Sequence, residues 1–202
     1  PNFNIIEEPE SLILGDKKFF MMPWRKDSDS EKETLNSAGD HDYLCCHTDI
    51  RGLSFNKHVK IDHGTEIKEL IKFGTVYSGH IHYAQNMGNV KMLGSPYELT
   101  RSDMDNQKFI LRLDLKTGKE KIFNNEFSPR FKKVSFDYIL NKTPNELEDE
   151  FRNNFIDVMI DPIMAMRAPL NILTDAVQSQ RRITFQPKID DSDKEYHMYD
   201  SD

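Results

Sequence analysis

Long apolar runs are absent from this chain: no stretch approaches the roughly eighteen consecutive apolar residues that a membrane-spanning helix requires. Nor does a charged-then-apolar leader open the sequence. Cysteine is nearly absent as well. Cys45 and Cys46, the 2 residues of that type, are adjacent inside an apolar run, which suits buried thiols better than a disulfide and fits a reducing compartment. Positive charge is in deficit, with 27 Lys and Arg against 34 Asp and Glu and a net charge of −7. The molecule as a whole is therefore no generic polyanion binder, and contact with nucleic acid must come from local basic patches or a bound metal. Together these absences point to a soluble, cytoplasmic protein with no membrane partner. No internal repeat is found.

What is there is enough for a core. The 202 residues are 37% hydrophobic, sufficient for one domain or two small ones. The opening Pro1-Asn2-Phe3-Asn4-Ile5-Ile6 reads like the middle of a strand region and carries no initial Met, so a fragment of a longer protein is expected. Phe3 to Ile6, Ser11 to Leu14 and Lys18 to Met22 read as short strands, the last two joined by a Gly15-Asp16 turn into a hairpin. A polar stretch from Arg25 to Asp42 contains a helix start capped by Asp or Ser. Tyr43-Leu44-Cys45-Cys46 is a compact strand that delivers His47 at its carboxyl end. An amphipathic run (Ile67, Leu70, Ile71) precedes the strand that leads to Gly79. Strands follow over Val90 to Leu93, Lys108 to Leu115 and Glu120 to Phe123.

Composition shifts near Pro129. Residues 130–136 read as linker and strand, and Thr143-Pro144-Asn145-Glu146 as a helix start with Thr as N-cap, the helix running to about Asn153. A strand over Phe155 to Ile160, a helix over Ala168 to Val177 and a strand over Arg182 to Ile189 complete a β-α-β-α-β order. The expected division is thus a first domain over 1–128, a second over 129–189 and an acidic, solvated tail over 190–202.

The chemistry concentrates in Gly79-His80-Ile81-His82 and in Leu93-Gly94-Ser95-Pro96-Tyr97 beyond it. Both imidazoles of Gly-His-x-His reach a metal only if the backbone turns sharply, a turn that Gly79 permits. A histidine pair in a loop is often mere surface polarity, and metal sites rest on whole ligand sets. The longer pattern of strand, Gly, His, apolar, His, strand and Gly-Ser-Pro is more specific. His47, directly after an apolar strand, sits where a ligand at the carboxyl edge of a central sheet belongs. Neutral imidazole nitrogens suit transition metals, and each usually needs an acceptor on its other nitrogen.

These stretches, together with Tyr43-Leu44-Cys45-Cys46-His47 and Ser102-Asp103, resemble the calcineurin-like metallophosphoesterases, and within them the DNA-repair nuclease subunits of SbcD type found in T-even-like phages. The resemblance covers residues 3 to 125 and is looser beyond. It implies an α/β fold: the carboxy-terminal half of a metallophosphoesterase β-sandwich, incomplete, followed by a small α+β cap domain that binds DNA. It implies that His47 and His80 bind one metal and His82 the other, with two divalent ions, manganese above all, and attack by metal-bound hydroxide on a DNA phosphodiester in recombination and double-strand-break repair. Arg130, Lys132, Lys133, Arg181 and Arg182 are the implied DNA-binding residues. The implied partners are DNA, an SMC-like ATPase subunit of SbcC type, the missing amino-terminal half and a second copy in a homodimer. A phage-encoded protein of this kind works in the host cytoplasm.

Two departures from the family stand out. Cys46 occupies a position where the family has Gly before the histidine. The family's Asp-x-His, Gly-Asp and Gly-Asn-His motifs are absent, so no catalytic residue is expected in this chain, and no carboxylate to bridge two metals, a role three neutral imidazoles cannot fill. Gly39-Asp40-His41-Asp42 looks like the last of these motifs but leads into the His47 strand and is set aside. The alternatives are another phosphatase or phosphodiesterase of the superfamily, opposed by the appended domain, and a non-catalytic remnant that docks on DNA or the ATPase.

Overall fold

A computed structural model describes residues 4–56, 59–161, 163 and, as backbone, 183–187. The chain divides into two compact units between Ser128 and Pro129.

The first unit is a mixed sheet covered on both faces. Strands β1 (Glu10–Leu14) and β2 (Lys17–Met22) form the expected hairpin around Gly15, whose φ of 67° is the left-handed conformation the turn requires. Helix α1 (Ser28–Ser37) begins where Asp27 accepts from the Ser30 amide at 2.7 Å, an N-cap worth about 1 kcal/mol. At its other end the Lys72 ammonium donates to the carbonyls of Leu35 and Ala38. Strand β3 (Tyr43–Cys46), helix α2 (Ile67–Leu70), and strands β4 (Thr75–Ser78), β5 (Gln85–Met87) and β6 (Val90–Met92) follow. The sheet order is β1-β2-β3-β4-β6-β5, with β2, β3, β4 and β6 mutually parallel. The carboxyl ends of four strands therefore open on one edge.

Alternation along those strands divides the apolar residues between two faces. Phe20, Met22, Leu44, Cys46, Val76, Val90 and Met92 pack with Leu35, Leu70 and Phe73 from the helical side. Phe19, Tyr43 and Tyr77 point the other way, against Leu111, Leu113 and Leu115. The first two of these lie on β7 (Phe109–Leu113), which pairs antiparallel with β8 (Glu120–Asn124). Tyr77 donates to Glu120 at 2.6 Å and Lys91 to its other oxygen at 2.5 Å, fastening this ribbon to the sheet.

In the second unit, β9 (Phe131–Ser135), α3 (Phe136–Leu140), α4 (Pro144–Phe151), β10 (Phe155–Ile160) and β11 (Ile183–Pro187) follow in order. Thr143 and Glu146 close the expected capping box on α4. Both strand pairings are parallel, and β9 is joined to β10 through α3 and α4, a β-α-β connection; the parallel sheet is of α/β type and corrects the expected α+β arrangement. Val134, Phe136, Ile139, Leu147, Phe151, Ile156, Val158 and Ile160 make its core.

Several expectations are corrected. Residues 4–6 lie outside any strand, β5 and α3 were not foreseen, and α4 stops at Phe151, just before Asn153 adopts a left-handed φ of 62°. The helix over Ala168 to Val177 and the tail lie outside the described residues. Among the described residues no helix is long and apolar enough to cross a membrane.

Candidate functional site

His47 follows β3 immediately, and His80 stands two residues after β4. Because β3 and β4 are parallel neighbours, both histidines emerge at the same carboxyl edge, where α/β sheets place their ligands. Their rings meet edge to face with centroids 4.7 Å apart. The Gly79 amide donates to the Cys46 carbonyl at 3.3 Å, drawing the two strand ends together. Gly79 is not among the glycines with a left-handed φ, whereas Gly94, in the Gly-Ser-Pro stretch, has a φ of 74°. Cys46, at the position where the sequence resemblance leads one to expect glycine, is buried and packs in the core on the helical face.

The sequence reading finds no carboxylate for this site; the structure places Asp49 next to His80. Asp49, two residues beyond His47, places one oxygen 3.4 Å from His80 Nε2 and the other 3.3 Å from His63 Nε2. Its loop is held by a close approach: a β-carbon on Gly64 would lie 2.4 Å from the Asp49 carbonyl oxygen, so only glycine fits. Thr65 then donates its amide to that carbonyl at 2.9 Å. Beneath the loop the buried hydroxyls of Thr48 and Thr65 both donate to Glu31 of α1. The signal for Asp49 was its place in the same strand-end loop as His47.

Electrostatics favour neutral imidazole at His47. Burial lowers its pKa, and proximity to His80 lowers it further, against the opposing pull of Asp49. A neutral ring keeps a lone pair for a metal. His80 supplies a second sign of fit. With its Nε2 toward Asp49, its Nδ1 is buried and has no hydrogen-bond partner, an atom that a cation would satisfy. His47, His80 and His82 carry imidazole nitrogens, and Asp49 a carboxylate, donor types that divalent transition metals accept. Among the described residues no group of three or more His, Cys, Asp or Glu side chains is placed to hold a metal ion.

His82 and His80 both line a cleft of about 120 Å³, with Phe55, Ser102, Asp103 and Asn106. The His82 Nδ1 is 3.4 Å from Asp103 Oδ2. Asp103 and Lys108 are each 2% exposed and form an ion pair at 2.9 Å. Burial by itself raises the Asp103 pKa, but the bonds from Lys108, Thr100 and Leu99 outweigh it and hold the carboxyl below the usual range. The structural part of Lys108 was not foreseen from the sequence.

A second cleft, of about 350 Å³, borders Asp49 and His63 and is lined by Trp24, Lys26 and Lys32. Trp24 is 59% exposed.

The residues set aside stay apart. His41 precedes β3, at the opposite edge from His47, and both its ring nitrogens are engaged, with Ser11 Oγ at 2.9 Å and the Gly39 carbonyl at 2.8 Å. Of the basic residues offered as DNA contacts, Lys132 and Lys133 are consecutive on β9 and so point to opposite sides of that strand. The Lys132 ammonium donates to the Glu150 carbonyl at 2.8 Å, whereas Lys133 is exposed. Arg130 is half-buried, its amide bonded to Asn154. Arg181 and Arg182 lie outside the described residues.

No family model matches the chain. Over 126 residues, 62% of its length, it is 24% identical to exonuclease subunit 1 of Enterobacteria phage T4. The match spans 37% of that relative's length.

Proposed function

We propose that this chain is part of a two-metal DNA nuclease, with His47 and His80 as ligands of one divalent ion and His82 of the other, manganese being the preferred metal. The observation that carries the reading is the meeting of His47 and His80 at the carboxyl edge beside Asp49, with His80 Nδ1 buried and unpartnered. Similarity to a phage exonuclease subunit supports a nucleic-acid phosphodiester as substrate. Bound metal ions would polarise the phosphodiester and activate water. The chain's own residues would present neutral imidazoles, and Asp49 would add the anionic charge that three histidines lack. The exposed indole of Trp24 beside Lys26 and Lys32 suits a strand that stacks a base and neutralises a phosphate. Lys133 is the candidate for phosphate contact in the second unit.

In this reading the remaining ligands come from an amino-terminal portion, an SMC-like ATPase is the partner, the assembly is a homodimer acting on DNA ends in recombination and repair, and the compartment is the cytoplasm. The test is calorimetric titration with Mn²⁺ of this chain joined to a portion carrying Asp-x-His and Gly-Asn-His motifs, followed by a DNA-end cleavage assay. Metal binding lost in His80→Ala together with manganese-dependent cleavage supports the reading. Unchanged binding in that variant refutes the ligand assignment, and hydrolysis of small phosphate esters without DNA cleavage assigns a phosphatase instead.

A further inference from the structure

The Lys108 ammonium is fully used: it donates to Asp103 Oδ1 at 2.9 Å, Ser95 Oγ at 2.8 Å and the His82 carbonyl at 3.0 Å, all three of its N–H groups. The facing carboxylate is equally committed. Asp103 Oδ2 accepts from the Leu99 amide at 3.0 Å, the Thr100 amide at 2.9 Å and the Thr100 hydroxyl at 3.2 Å, with His82 Nδ1 at 3.4 Å. Asn106 donates to the same His82 carbonyl at 3.2 Å. One residue, His82, is therefore held at its main chain by Lys108 and Asn106 and at its ring by Asp103.

Taking two charges out of water is costly, and apolar residues of similar size often serve a core as well or better. What an apolar pair cannot do is accept a proton-bearing ring nitrogen. Free neutral histidine in water favours the proton on Nε2; an acceptor facing Nδ1 reverses that choice.

We propose that Asp103, oriented by Lys108, is a positioning residue that fixes neutral His82 as the Nδ1–H tautomer and turns its Nε2 lone pair outward. The relevance to metal binding rests on the reading of His82 as a ligand; the tautomer does not. The carboxylate would do for His82 what outer carboxylates do for ligating histidines generally.

The test is ¹⁵N NMR of the imidazole nitrogens on the metal-free full chain, at about pH 8 where an ordinary histidine is neutral. In the wild type His82 Nδ1 should resonate as a protonated nitrogen and Nε2 as an unprotonated one. Asp103→Ala strands the Lys108 ammonium and threatens folding, so the decisive variant is the double substitution Asp103→Leu with Lys108→Met, which removes both charges together. With the fold intact by circular dichroism, the two nitrogen signals should exchange character as Nε2–H becomes the major form. A wild type already in the Nε2–H form, or a folded double variant that keeps Nδ1–H, overturns the positioning role. Neither result depends on metal, so failure here leaves the nuclease reading standing, and a failed Mn²⁺ titration leaves this inference standing.

Discussion

A β-carbon on Gly94 would stand 2.8 Å from the backbone oxygen of His82, and 3.1 Å from the Ala84 amide nitrogen. The Gly-Ser-Pro turn and the Gly-His-x-His loop are therefore in backbone contact, and the φ of 74° at Gly94 adds a second reason for glycine. Gly94→Ala is expected to cost about 1–3 kcal/mol in urea unfolding. Gly39, with no positive φ and open space around it, is the control: Gly39→Ala should be close to neutral.

Cys46 should be silent toward thiol reagents. Burial pushes its pKa up to about 12, the Ser78 hydrogen bond opposing this only in part. Reaction with a disulfide reagent near pH 8 should be slow for Cys46 in the native protein and fast for both cysteines in urea. Since the folded pKa is raised, the native thiol holds its proton while the unfolded one releases it. The contribution is present below the unfolded pKa and is lost as pH rises from about 9 toward the folded value. Cys46→Ala should flatten that alkaline loss in a stability profile.

Glu120 gives the opposite slope. Burial raises its pKa, but hydrogen bonds from Lys91 and Tyr77 outweigh it and leave it lowered. Its contribution is then present above the ordinary carboxylate range and disappears as pH falls through the lowered folded value. Glu120→Gln should cost about 1–2 kcal/mol at neutral pH and little in acid. Equal losses at both pH values would contradict this account.

The two lysines of β9 should separate by phenotype. Lys132→Ala removes the donor to the Glu150 carbonyl and should lower thermal stability of the second unit. Lys133→Ala should leave stability unchanged and, in a DNA-binding assembly, reduce the slope of log affinity against log salt by about one unit. The measurements are calorimetry and salt-dependent fluorescence anisotropy.

Legibility in the sequence followed locality. Tyr43–Cys46, Phe155–Ile160 and the capped start of α4 could be read because alternation and capping chemistry lie within a few consecutive residues. Gln85–Met87 could not: it has no apolar alternation and becomes a strand only by folding back on β6 through Gly88, at a φ of 58°. Phe136–Leu140 was hidden because its apolar residues continue those of β9 without a break. His47, His80 and His82 were visible as residues, and the structure brings the first two together. Asp49 was not visible as a member of the site, since its place depends on Gly64 closing against it from fifteen positions away. Lys108 reads in sequence as the start of a strand, and only burial beside Asp103 gives it a different part.

His47 and His80 hang directly from β3 and β4, neighbouring inner strands of the six-stranded sheet, with the Gly79 amide bonded across to Cys46. They have no flexible tether of their own. Backbone motions that part the two strand ends must therefore begin to part inner strands of the unit, which places the backbone of the site nearer the high end of the local-opening free energies than the loops. Hydrogen exchange at the Gly79 amide should accordingly be slower than at amides of the loops, because its bond to Cys46 joins the ends of two inner strands.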